Sequence, residues 1–175
     1  MSSLGRTVLL LMIPVNLFML AWVWFGRIFF GAGGWFLLIL LYVLPFVLAA
    51  LVITTVLGFA LSSPPRALTR SQAVVHLVLW GSMLAFGFFL VDFGDMEDSD
   101  LSAFTQVVGR NDVTLSISWS MAAISAFATV VAWVVLLVLM LAQRRKRARL
   151  PSPYGAPGGL TGQGRVWKAS SRPSA

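Results

Sequence analysis

WFLLILLYVLPFVLAALVITTVLGFAL, residues Trp35–Leu61, runs from end to end without a charged side chain. A hydrocarbon core about 30 Å thick is crossed by about 20 apolar helical residues. This stretch exceeds that length, so it is expected to tilt or to protrude. It contains Pro45 near its middle, where a missing backbone donor predicts a kink.

Three further apolar runs flank it, at about residues 7–25, 73–91 and 114–142. The chain therefore reads as an all-α integral membrane protein, with a four-helix transmembrane domain over residues 1–150. Thr7–Phe25 is read as a span and not as a cleaved leader. Its apolar run is too long, and Phe25-Gly26-Arg27 is a poor cleavage region. Short connections make successive helices antiparallel neighbours, which predicts an up-down bundle. Gly31-Ala32-Gly33-Gly34 reads as a tight turn, since no strand precedes it and no Lys follows. Ser62-Ser63-Pro64-Pro65 is a helix stop.

Composition agrees. The chain is 58% hydrophobic and 11% charged, against roughly 45–50% and about 25% in soluble domains. All six acidic residues fall between Asp92 and Asp112. The basic residues gather elsewhere: Arg6, Arg66, Arg70, the cluster Arg144, Arg145, Lys146, Arg147 and Arg149, and Arg165, Lys168 and Arg172. Only Arg27 and Arg110 fall on the opposite side of a four-span arrangement. The positive-inside bias places both termini in the cytoplasm of a cell-membrane protein, with the loop 92–113 outside. The formal charge of +7 is assigned to anionic headgroups, not nucleic acid, because the basic cluster directly continues an apolar run. Residues 151–175 are rich in Gly, Pro and Ser and are expected to form a disordered basic cytoplasmic tail. Cysteine is absent, which excludes disulfides, thiol nucleophiles and Cys-ligated metals.

The external loop is expected to contain a short amphipathic helix. Asp100 would cap it, Leu101, Phe104, Val107 and Val108 would share a face, and Gly109 would end it. Asp112 or Thr114 would cap the fourth span. Asp95, Glu97, Asp98 and Asp100 offer oxygen ligands suited to Ca²⁺. The EF-hand spacing fails, however, because Asp100 stands where Gly is needed and Gln106 where Glu is needed. A solvated acidic loop is the preferred reading, and no cofactor is expected.

Three polar residues lie in or at the ends of the spans. Asn16, just after Pro14, is expected to hydrogen-bond a neighbouring helix. His76, the only histidine, is read as a polar tip reaching the headgroups. Asp92 closes the third span. His76 and Asp92 lie about 24 Å apart along a helix, which excludes a catalytic pair. Small residues recur every fourth position at Ala50, Thr54 and Gly58, at Ser118, Ala122 and Ala126, at Ser125 and Thr129, and at Gly81 and Ala85. Such stripes let helix backbones approach closely, within the bundle or between copies. Trp22, Trp24, Trp35 and Trp119 suit an outer interfacial belt, whereas Trp80 and Trp133 read as packing residues.

No nucleophile–base pair is visible, and spans nearly free of charge do not resemble a carrier's. The resulting expectation is a non-enzymatic accessory, assembly or interaction subunit, partnered by membrane lipids and by another membrane protein or a second copy. The alternatives are an oligomeric small-solute or ion transporter, and last a membrane-embedded enzyme.

Overall fold

The computed structural model describes residues 3–31, 33–61, 67–93 and 100–148. Four of its helices are long and apolar enough to cross a membrane: α1 (Ser3–Phe25), α2 (Trp35–Leu61), α3 (Arg70–Phe89) and α5 (Asp112–Ala148). A short helix, α4 (Ala103–Val108), precedes α5, and a single 3-10 turn, Ile28–Phe30, follows α1. No strand occurs among the described residues; Asp92 and Leu101 form an isolated antiparallel bridge. The proposed tail 151–175, the loop 62–66 and Ala32 of the glycine turn lie outside the described residues.

Local chemistry sets the ends of the helices. At the start of α3 a capping box joins Thr69 and Gln72: each side chain bonds the other's backbone N–H. The start of α4 is capped by Ser102 in partnership with Thr105, not by Asp100. Gly109, at φ 103°, ends α4 in a backbone conformation that favours glycine. The fourth long helix is capped by Asn111, whose side-chain oxygen accepts from the Thr114 N–H at 2.8 Å while Thr114 Oγ1 accepts from the Asn111 N–H. This corrects the assignment to Asp112 or Thr114 alone. Asn111 immediately precedes Asp112, and an Asx cap needs only one side-chain oxygen, which an amide supplies as well as a carboxylate.

Helix α3 is the hub, packing against both α1 and α5. The core comprises residues such as Val8, Leu9, Met12, Leu79, Leu136 and Met140. Helix α2 lies at the periphery, touching α1 and α5, and leaves Tyr42 and Phe46 almost wholly exposed.

Candidate functional site

Two polar centres are built into this apolar frame. The first is organised by Asp92, which lies in the extended segment after α3 and is 1% exposed. Its carboxylate accepts the backbone N–H groups of Gly34 at 2.7 Å, Phe36 at 2.9 Å and Phe93 at 3.0 Å. Two of these donors belong to the entry of α2, so Asp92 caps a helix 56–58 residues earlier in the chain. A free helix N-terminus presents unpaired N–H groups and partial positive charge, and a carboxylate satisfies both. The approach requires Gly34, because a Cβ there would stand 2.7 Å from Asp92 Oδ1 and 2.6 Å from the Phe93 carbonyl.

Arg27 completes this centre. Its side chain is fully buried, with Nη1 3.3 Å from Asp92 Oδ2 and Cζ 6.0 Å from the centroid of the Phe36 ring. Its nitrogens have no hydrogen-bond acceptor among the described residues. Burial pushes the guanidinium below its ordinary pKa, while the charge of Asp92 acts in the opposite direction.

The bridge from Asp92 to Leu101 carries the chain into α4. Asp92 N–H donates to the Leu101 carbonyl at 2.7 Å and receives a longer bond in return. Ser102, fully buried, lies 2.6 Å from the Ser118 hydroxyl, which also donates to the Phe89 carbonyl. Phe104 packs on Phe88 and Phe89. The buried face of α4 carries Ala103 and Thr105. Val107 and Val108 are 62% and 59% exposed, so they do not share a buried face with Phe104 as the residue spacing suggested. The helix is too short for spacing alone to define its packed side.

The second centre lies halfway along the long helices. Asn16 Nδ2 donates to Thr55 Oγ1 at 3.0 Å, and Asn16 Oδ1 accepts from Trp80 Nε1 at 2.8 Å. One amide thus ties α1 to both α2 and α3. One turn nearer the start of α3, the His76 ring meets Trp80 edge-on with centroids 4.8 Å apart. His76 is fully buried, with neither ring nitrogen hydrogen-bonded among the described residues. That overturns the reading of a headgroup-reaching tip. Its position near a helix end suggested the interface, but the side chain faces the core.

Other polar atoms also join helices. Gln72 donates to Gln143 at 2.8 Å, Thr129 to Ser82 at 3.0 Å and Trp133 Nε1 to the Ala50 carbonyl at 3.2 Å. Trp22 and Trp24 donate to the Leu84 and Leu37 carbonyls. Trp35 and Trp119 are about half exposed.

The small-residue stripes sit largely inside the chain. Thr54 is fully buried, and a Cβ at Gly58 would meet Met12 and Leu9. Ser118 and Ala122 are buried, and Ala126 is half-buried. Gly81 is exposed with open space around it.

Of the four loop carboxylates, Asp95, Glu97 and Asp98 lie outside the described residues; Asp100 is half-buried. No cluster of three His, Cys, Asp or Glu side chains occurs among the described residues. Arg144 and Arg145 are exposed. Arg149 and the side chains of Lys146 and Arg147 lie outside the description.

Apolar grooves open sideways beside α2. One of about 180 Å³ lies between α1 and α2 and reaches Asn16 and Thr55. Another of about 290 Å³ lies against α3 and α5 and is lined by Phe46, Met83, Thr129 and Trp133. Comparison with family models, with curated proteins and with solved structures finds no match to this chain.

Proposed function

We propose that this chain crosses a cell membrane four times as an up-down bundle, with both termini cytoplasmic. In this reading it serves as a non-catalytic accessory, assembly or interaction subunit. The observation that carries the reading is a rigidly mounted outer cap with an apolar tip. The bridge to Asp92, the Ser102–Ser118 bond and the Phe104 packing hold α4 down. Its far side and the start of α5 then present Val107, Val108 and Val113, each more than half exposed. An exposed apolar patch on a fixed support suits a protein contact.

The polar interior supports the same reading. Asn16, Ser118, Thr129, Gln72 and Asp92 all spend their hydrogen-bonding capacity joining one segment to another. A carrier or an enzyme uses such groups to meet a solute. Arg144, Arg145, Lys146, Arg147 and Arg149 directly follow an apolar run in the sequence and are read as a contact for anionic headgroups, each adding about 1 kcal/mol near the surface.

Photo-crosslinking from Val107 and Val108 in native membranes tests the proposal. A discrete protein adduct at these positions, absent when the probe replaces Tyr42, is the expected result. Recovery of lipid adducts alone from both faces would refute it.

A further inference from the structure

None of the interhelical hydrogen bonds described above uses His76. It is fully buried, and both nitrogens lack a partner among the described residues. Buried polar atoms in native structures are nearly always paired, so such an exception calls for an explanation.

Cross-links between helices fix what lies at the height of His76. Trp22 reaches Leu84, 62 positions later, and Asn16 reaches Trp80, 64 positions later. Nearer the helix start the Leu68 N–H bonds the Gly5 carbonyl. This steady offset brings Met12 of α1 level with His76 of α3. On the other flank, Gln72–Gln143 and Ser82–Thr129 bracket His76. Between them α5 carries Leu136 and Met140. Met12 is 0% exposed and Met140 1%. Across from Met12, α2 presents Gly58, where a Cβ would stand 3.4 Å from the Met12 sulfur.

We propose that His76, Met12 and Met140 form a site for a soft monovalent cation of the copper(I) type. One imidazole nitrogen and two thioether sulfurs would be its ligands. The donor set makes the choice. Thioether sulfur binds soft ions such as copper(I), whereas calcium and magnesium take oxygen ligands. Structural zinc sites draw on thiolate, imidazole and carboxylate, of which this layer offers only imidazole. Charge argues the same way. All three ligands are uncharged, so the ion's charge stays uncompensated in an apolar interior, and a monovalent ion carries the smaller penalty. Methionine side chains are unbranched and flexible, so they can close on an ion without a pre-formed cavity. The ligands come from α1, α3 and α5, so occupancy would tie three helices together.

The test uses the full chain in detergent micelles, without reductant-sensitive tags. Copper(I) is supplied anaerobically as its acetonitrile complex against a chromogenic competing chelator. Silver(I) serves as a redox-inert second probe. One equivalent should bind and quench tryptophan emission, since Trp80 abuts His76. Met12→Leu and Met140→Leu, which exchange sulfur for carbon at similar volume, should each weaken binding at least tenfold. His76→Phe should abolish it, and Met83→Leu should leave it unchanged. Melting curves of the leucine variants that match the parent establish that the fold is intact. Failure of the parent to bind one equivalent, or parental affinity in both leucine variants, overturns the proposal. Equal loss in Met83→Leu also overturns it, because the effect would not belong to this layer.

Discussion

Arg27 and Asp92, 65 positions apart in sequence, meet as a buried ion pair at 3.3 Å, both essentially inaccessible to solvent. The carboxylate serves the guanidinium and the entry of α2 together. Two consequences of losing it can therefore be separated by mutation.

Removing one partner of a buried pair strands the other charge, at a cost of about 3–5 kcal/mol. Arg27→Ala and Asp92→Ala are each expected to lower stability by that amount in denaturant titration of the detergent-solubilised chain. The double variant Arg27→Met with Asp92→Asn removes both charges but keeps only one side-chain oxygen, enough for the Phe36 N–H or the Gly34 N–H, which bond different carboxylate oxygens. It should recover the part of the loss that comes from the stranded charge, and not the part that comes from the cap. Strictly additive single effects would show that the two residues do not act as a unit.

Asn16→Ala breaks the bonds to Thr55 and Trp80. Interhelical hydrogen bonds in membranes contribute about 0.6–2 kcal/mol each, so a loss of roughly 1–4 kcal/mol is expected for the two. The emission of Trp80 should change with it, since its indole N–H loses its acceptor. An unaltered spectrum in a variant retaining only Trp80 would contradict the network.

Glycine substitutions in α3 should separate by position. A Cβ at Gly87 would stand 2.7 Å from Trp22 Nε1 and 3.4 Å from the Val23 Cα. Gly87→Ala must displace the indole that bonds the Leu84 carbonyl, and overpacking of this kind costs about 1–3 kcal/mol. Gly81 has open space around it, so Gly81→Ala should be neutral or stabilising by up to ~1 kcal/mol. Thermal unfolding of the two variants decides the matter, and equal effects would contradict the packing.

Ser118→Ala leaves the Ser102 hydroxyl and the Phe89 carbonyl without their shared partner, a cost of about 1–3 kcal/mol for buried groups. The damage should be local. Hydrogen exchange is expected to rise over Ala103–Val108 while the middle of α3 keeps its protection. Uniform loss of protection would mean that the cap and the core unfold together.

The chain contains no cysteine, which makes labelling clean. Val107→Cys should react with an impermeant maleimide in intact cells, and Ser170→Cys only after permeabilisation. Labelling of both from the same side would remove the proposed topology.

Helix existence was legible because hydropathy runs are long and local. The span read at Trp35–Leu61 coincides with α2, where a glycine turn and a proline stop bound it. The fourth long helix starts two residues before the expected 114–142 and runs six residues past it. Its last turns, with Gln143, Arg144, Arg145, Lys146 and Arg147, fail an apolar criterion yet are built of good helix formers. What sequence could not supply is direction around a helix axis. All-round apolar helices carry little amphipathic signal, so His76 was placed by depth alone and its burial was missed. The Arg27–Asp92 pair was missed for a different reason: it spans two loops with no spacing rule between them. A faint signal did exist, since Arg27 is the one charge in its loop and Asp92 the first acid after the third span.

Asp92 also imposes an order of events. Translation proceeds at ~5–20 residues per second, so Arg27 and the open start of α2 precede their carboxylate by several seconds. Throughout that interval the first two helices carry an unneutralised cation and unmet donors at their junction. The half-made protein is thus a distinct species with an exposed positive corner, and any assistance it needs during biogenesis should be needed there and should cease once residue 92 arrives.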